Sequence, residues 1–184
     1  MMIKDKPKEI ITERLCLRSI VDEDCEALCR LLTNEIVART YILPEFKSKN
    51  EEITLFNRLK ELSYINSRFV YGIALNGEII GLINDVDISG GEIELGFAFH
   101  PDYHNRGYAT ETLKAAIKTL FDMGYNTVKT GAFEINLPSQ RVMEKCGMTK
   151  LPDSESIEYK GVTHKCVMYE IKNQLNWKYY MMFY

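Results

Sequence analysis

The residues able to do chemistry in this chain fall in two short segments. The first runs Ile93-Glu94-Leu95-Gly96-Phe97-Ala98-Phe99-His100-Pro101-Asp102-Tyr103-His104-Asn105-Arg106-Gly107-Tyr108-Ala109-Thr110-Glu111. It reads as an apolar strand, a proline stop, a polar turn with one glycine, and the start of a helix. A helix start carries backbone N–H groups without intrahelical partners, together with partial positive charge. It therefore favours an anion, and a diphosphate suits it well. Glycine at 107 matters because a Cβ there would obstruct a phosphate approaching the backbone. Other phosphate-binding designs fit poorly. The Gly-Lys-Ser/Thr of a Walker A loop is missing, and the turn lacks the repeated glycines of a dinucleotide loop. A plain connection is the competing reading of such a turn taken alone. The second segment leads from Asn136-Leu137-Pro138-Ser139 to Glu144-Lys145-Cys146-Gly147-Met148. There Ser139 offers a hydroxyl at a helix start, where an N-cap role competes with a chemical one.

These segments need elements to position them. Thr12 to Arg18 alternates apolar and polar residues, the period of a half-buried strand. Asp22 is a credible N-cap for a helix whose apolar face is Cys25, Leu28, Cys29 and Leu32. Asn50-Glu51-Glu52 opens a second helix lined by Ile53, Phe56, Leu59 and Leu62. Phe69 to Leu75 and Glu78 to Val86 are strand-like runs joined by Asn76-Gly77, a strong hairpin signal. Ser89-Gly90-Gly91 turns into the strand from Glu92 to Phe99, so three successive strands should be antiparallel. Ala109 to Met123 is helical, stops at Gly124, and leads to a strand from Thr127 to Phe133. Strand, helix and strand with short links imply a right-handed crossover and a parallel pair. Ser139 to Cys146 forms a short helix, and strands near Met148 to Leu151 and Cys166 to Ile171 finish the sheet. The segments Ile36 to Asn50 and Asp153 to Thr163 read as loops.

A length of 184 residues fits one domain with a full core. Apolar residues make up 46% and charged residues 27%, ordinary values for a globular protein. The net charge of −3 argues against a protein that coats nucleic acid. No run of about 18 apolar residues occurs, so no membrane span is expected. No secretory leader is expected either. The five cysteines, Cys16, Cys25, Cys29, Cys146 and Cys166, are dispersed and lack CxxC spacing. Reduced, mostly buried thiols in a cytoplasmic protein are expected, and no metal site. His100, His104 and His164 lack partners at motif spacing and read as surface or turn residues. The tail Trp177 to Tyr184 is strongly aromatic, which suits either packing on the body or a homodimer contact.

Together the two segments resemble the acyl-CoA-binding core of the GCN5-related N-acetyltransferases (GNAT). The family's turn pattern is Gln/Arg-x-x-Gly-x-Gly/Ala. Here it is His104-Asn105-Arg106-Gly107-Tyr108-Ala109, with histidine in place of the usual first residue. Gly107-Tyr108-Ala109-Thr110-Glu111 resembles the RimJ/RimL-like branch. So do Thr12-Glu13-Arg14-Leu15 with Leu17-Arg18, Asn136-x-x-Ser139, and Glu144-Lys145-Cys146-Gly147-Met148, although Phe is more usual at 148. The resemblance runs from about Thr12 to Trp177.

The resemblance implies an α/β GNAT fold (α+β by some schemes) as one acetyltransferase domain over 1–184, with 178–184 an aromatic extension. The expected sheet is mixed, mostly antiparallel, of six to seven strands, with a splayed parallel pair at the centre and about four flanking helices. It also implies transfer of an acetyl group from acetyl-CoA to an amine. Glu94 matches the family's Glu-x-Gly glutamate and is the implied base, acting through water. A merely solvated or paired strand glutamate is the competing reading, and Glu92 is a weaker rival. The backbone of Phe97, Ala98 and Phe99 would meet the pantetheine, as would Asn136. His104, Asn105, Arg106, Gly107, Tyr108, Ala109 and Thr110 would bind the rest of the cofactor. Ser139 would meet the leaving thiolate or the pantetheine. The implied partners are acetyl-CoA and an amine acceptor, either a protein N-terminus or a small amine such as an aminoglycoside or polyamine. A non-catalytic acyl-CoA sensor is the alternative. No metal, nucleic acid or membrane is implied.

Overall fold

The computed structural model describes residues 3–174. The Trp177–Tyr184 tail, with its packing or dimer reading, lies outside the described residues. Eight strands form one sheet in the order β1-β2-β3-β4-β5-β6-β8-β7. The strands are β1 (Glu9–Ile11), β2 (Leu15–Arg18), β3 (Tyr71–Leu75), β4 (Glu78–Ser89), β5 (Glu92–Phe99), β6 (Thr127–Phe133), β7 (Thr149–Tyr159) and β8 (Val162–Lys172). The helices are α1 (Cys25–Leu32), α2 (Lys49–Tyr64), α3 (Tyr108–Met123) and α4 (Leu137–Lys145). The mixed sheet, the central parallel pair and the four helices are as expected.

The count exceeds the expected six to seven strands for two reasons. β1 is only three residues long, too short to show a period. The segment Asp153–Thr163, expected as a loop, is instead the end of the long β7–β8 hairpin, turning at Lys160-Gly161. β7 is mostly exposed, so it carries no apolar alternation to betray it.

Alternation along the sheet divides the core into two layers. Ile93, Leu95, Phe99 and Val128 pack against Leu113, Ala116, Ile117 and Leu120 of α3. On the other face, Ala74, Ile79, Leu82 and Ala98 pack against Leu28, Leu31 and Leu32 of α1 and Phe56 of α2. Each fully buried leucine in these layers contributes about 1.5–3 kcal/mol. Two helix expectations change in detail. Asp22 opens a 3₁₀ turn, Asp22–Asp24, and α1 begins only at Cys25. In α2 the cap is Ser48, whose hydroxyl accepts from the Glu51 N–H, and Ile53 faces solvent while Leu55 turns inward.

Among the described residues, only β5 and β6 pair in parallel. Their ladder covers four pairs, Glu92–Thr127 to Leu95–Thr130, and ends there. Beyond it β5 continues along β4, and β6 continues along β8. The two strands therefore diverge just after Leu95, and the remaining half of β5 runs on to the turn before α3.

Candidate active site

The turn is built by a run of local constraints. His100 caps the short Pro101–Tyr103 3₁₀ turn. His104 then folds back, its Nε2–H donating to the Phe99 carbonyl at 2.9 Å. The histidine that departs from the family pattern therefore fastens the turn to the end of β5. Asn105 and Gly107 both take left-handed backbone conformations, with φ of 59° and 81°. That conformation costs a residue with a Cβ about 1–2 kcal/mol, so glycine at 107 is favoured by the backbone itself. Gly107 is the N-cap of α3, and no side chain caps it among the described residues. The first N–H groups of α3 are left to an external acceptor. His104, Asn105, Arg106 and Gly107 are exposed, and Tyr108, Ala109 and Thr110 are half-buried behind them.

Phe97, Ala98 and Phe99 lie on β5 beyond the last parallel pair, facing the gap left by β6. The Phe99 carbonyl is engaged by His104. Asn136 follows the end of β6, at the start of α4. Its Oδ1 accepts from the Ser139 N–H at 3.3 Å. Asn136 is thus the helix cap, and the capping alternative for Ser139 is corrected: Asn136 fills the N-cap position. The Pro138 that follows fits the first turn of a helix, where no N–H is needed. Ser139 is half-buried. Arg141 is exposed on the same helix.

Glu94 occupies the opposite face of β5 from Leu95. It lines a cavity of about 190 Å³ with Asp87, Glu92, Lys129, Glu155 and Met168. A Cβ built on Gly131 would stand 2.7 Å from Met168 Sδ and 3.8 Å from Glu94 Oε1, so the bare glycine on β6 lets Met168 pack close to the strand beside the carboxylate. Burial raises the Glu94 pKa above the ordinary carboxylate value. Glu155 and Asp87 push the same way, and Lys129 opposes them. Glu92, the rival base, is ion-paired with Lys129 and projects toward solvent.

Sequence reasoning missed two tyrosine contacts over this face. Tyr41, in the α1–α2 connection, lies over Gly96, its Cε2 3.4 Å from where a side chain there would begin. Its hydroxyl donates to Asn84 Oδ1. Burial raises the pKa of that hydroxyl above the ordinary phenol range. Tyr159, at the end of β7, donates to the Ala38 carbonyl at 2.9 Å and accepts from the Leu43 N–H at 3.3 Å. One hydroxyl thus ties the β7–β8 hairpin to the α1–α2 connection. Beside this clasp a cavity of about 720 Å³ is walled by Glu35, Arg39, Glu45, Phe46, Lys160 and Val162, among others. No local pattern in the sequence pairs residues 38–43 with 159. The three histidines serve separately: His164 stacks on Phe133 with ring centroids 4.3 Å apart, away from the turn that holds His104.

A mixed sheet with one diverging parallel pair, and an uncapped helix start at the end of the strand that leaves it, define the acetyltransferase class of α/β fold. The Acetyltransferase (GNAT) domain model matches residues 14–149, and the chain belongs to that family. It is an N-acetyltransferase. A curated relative, the uncharacterized N-acetyltransferase YoaA of Bacillus subtilis (strain 168), is 27% identical over 144 residues, covering 76% of this chain and 81% of its own. The crystal structure of a GNAT-family acetyltransferase from Bacillus anthracis has a TM-score of 0.77 at 25% identity, covering 89% of this chain and 98% of that one. RimL, a ribosomal L7/L12 α-N-protein acetyltransferase solved with coenzyme A, has a TM-score of 0.78 at 17% identity, covering 89% and 97%. This last likeness is one of fold.

Proposed function

We propose that the protein transfers an acetyl group from acetyl-CoA to a primary amine by direct attack, with a protein N-terminal amine as the favoured acceptor. The observation that carries this reading is the end of the parallel ladder just beyond Glu94, with the uncapped turn at the far end of the same strand. The diverging strands leave an edge for a pantetheine arm, and the turn suits its diphosphate. A thioester is already activated, so no covalent enzyme intermediate is needed. The chain's task is to hold the reactants together, which contributes about 7–11 kcal/mol in well-oriented pairs, and to take a proton from the amine. Glu94 serves as the base, directly or through water. Ser139 faces the leaving sulfur, and Asn136 both caps α4 and meets the pantetheine.

The RimJ/RimL-like motifs at Thr12–Leu15, Gly107–Glu111 and Asn136–Ser139 support the N-terminal acceptor. RimL as a structural neighbour agrees with them in fold. Unpaired, dispersed cysteines agree with a cytoplasmic setting. A second reading, a small polycationic amine, is favoured by one observation. Three acidic side chains besides Glu94 line its cavity, against one lysine. An assay of free CoA release decides between them, using peptides of varied first residue, aminoglycosides and polyamines. Turnover with peptides is the expected result. Turnover confined to polyamines or aminoglycosides would move the acceptor to the second class. CoA binding without turnover across all three would reject catalysis on these acceptors.

A further inference from the structure

The first connection in the sheet, Thr12–Arg14 between β1 and β2, is about a hundred residues away in sequence from the turn before α3. The two meet at Glu111. The Thr12 hydroxyl donates to Glu111 Oε1 at 2.6 Å, and the Arg14 N–H donates to the same oxygen at 2.9 Å. Arg14 Nε and Nη2 both reach Glu111 Oε2, at 2.7 and 2.6 Å. Arg14 Nη1 donates to the Arg106 carbonyl at 2.9 Å, within the turn itself. The guanidinium also lies over the Tyr108 ring, 4.5 Å from its centroid. Its Nη2 stands 3.4 Å from where a Cβ at 107 would be. Four donors converge on one carboxylate, and the same side chain grips the backbone just before Gly107.

We propose that Arg14 is a positioning residue for the acyl-donor turn. Through Glu111 and the Arg106 carbonyl it holds residues 105–110 with their N–H groups facing outward, ready for the donor's phosphates. The inference rests on the reading of this turn as the phosphate site. Preorganisation of this kind lowers the ordering cost that binding must otherwise meet. The clamp acts on the donor side only, so its loss leaves the acceptor's KM unchanged.

Three readouts test it in R14A, R14K, E111A and the R14A/E111A double variant. In calorimetry with CoA, each alanine variant should bind about tenfold more weakly, the size expected for a lost charge-assisted contact. The double variant should be little worse than either single one, because both act through one contact. R14K should retain some of the affinity. In steady-state kinetics, KM for acetyl-CoA should rise and KM for the acceptor should hold. In the ligand-free proteins, amide hydrogen exchange at Glu111, whose N–H donates to the Gly107 carbonyl at 3.0 Å and closes the turn, should accelerate in R14A, with exchange in β3 and β4 unchanged. Unaltered exchange at Glu111 would overturn the proposal. So would a loss of CoA affinity in R14A but not E111A, which would make Arg14 a direct phosphate contact. If the wild-type protein bound no CoA, the functional reading would fail, and exchange would still decide whether Arg14 orders the turn.

Discussion

At the residue scale, the decisive property is the environment of Glu94. Its burial, with Glu155 and Asp87 nearby, favours the protonated form and raises its pKa. As the proposed base, Glu94 must be ionised to act, so activity should fall as pH drops through that raised value. A free glutamate titrates at about 4.3, and the acid limb of kcat/KM should therefore lie above that. Replacing Asp87 with Asn removes one like charge and should move the limb to lower pH. Glu94→Gln should lower kcat by about 10²–10⁴-fold and abolish the limb, while CoA affinity measured by calorimetry stays near wild type. An unchanged pH profile in Glu94→Gln would assign the proton transfer to another group.

At the element scale, the turn before α3 is where backbone conformation and chemistry coincide. Gly107→Ala imposes a left-handed alanine, at a cost of about 1–2 kcal/mol, with its Cβ in ordinary contact with the Arg14 guanidinium. Gly107→Val adds a branched side chain where a phosphate would approach. CoA affinity should fall in the order wild type, alanine, valine, and equal affinities would contradict the close approach. Glu111 gives this element its own pH signature. Burial alone would raise its carboxyl, but hydrogen bonds from Thr12 and Arg14 outweigh it and hold the group below the usual range. A carboxyl lowered in the folded state contributes stability above its unfolded value, and that contribution is lost as pH falls through the folded one. Wild type should therefore exceed Glu111→Gln in stability at neutral pH. Urea unfolding followed by circular dichroism should show that difference shrinking as pH falls below about 4.

At the scale of the whole molecule, two long-range contacts fasten segments far apart in sequence. Arg14 joins the first loop of the sheet to α3, and Tyr159 joins the last hairpin to the α1–α2 connection. Tyr159→Phe removes a hydroxyl that bridges two walls of the larger cavity, a loss of about 1 kcal/mol. The connection it fastens carries Tyr41, which lies over Gly96 two residues from the proposed base, so the change should raise KM for the acceptor and leave CoA affinity unchanged, which steady-state kinetics and calorimetry can separate.

Much of this architecture was legible in the chain. The alternation in β2, the strand-like runs of β3 and β4 with the Asn76-Gly77 hairpin between them, the helical spacing of α3 with its Gly124 stop, and the Gly107 turn are local patterns with local physical causes. They sufficed for the mixed sheet, its parallel pair and the strand that bears Glu94. Short β1 and exposed β7 left no period to read, so the sheet's full width was not legible. Nor was the placing of the α4 cap at Asn136 rather than Ser139, since either side chain can cap a helix until the backbone shows where it starts. The amino-acid order thus determined the elements and the turn, because those depend on residues a few positions apart. Tertiary structure alone decided that the parallel ladder stops beyond Glu94, which carboxylate is buried and which is paired, and that Arg14 and Tyr159 fasten the two sides. Those outcomes depend on contacts between segments from 37 to 121 residues apart in the side-chain cases, whose pairing no local pattern encodes.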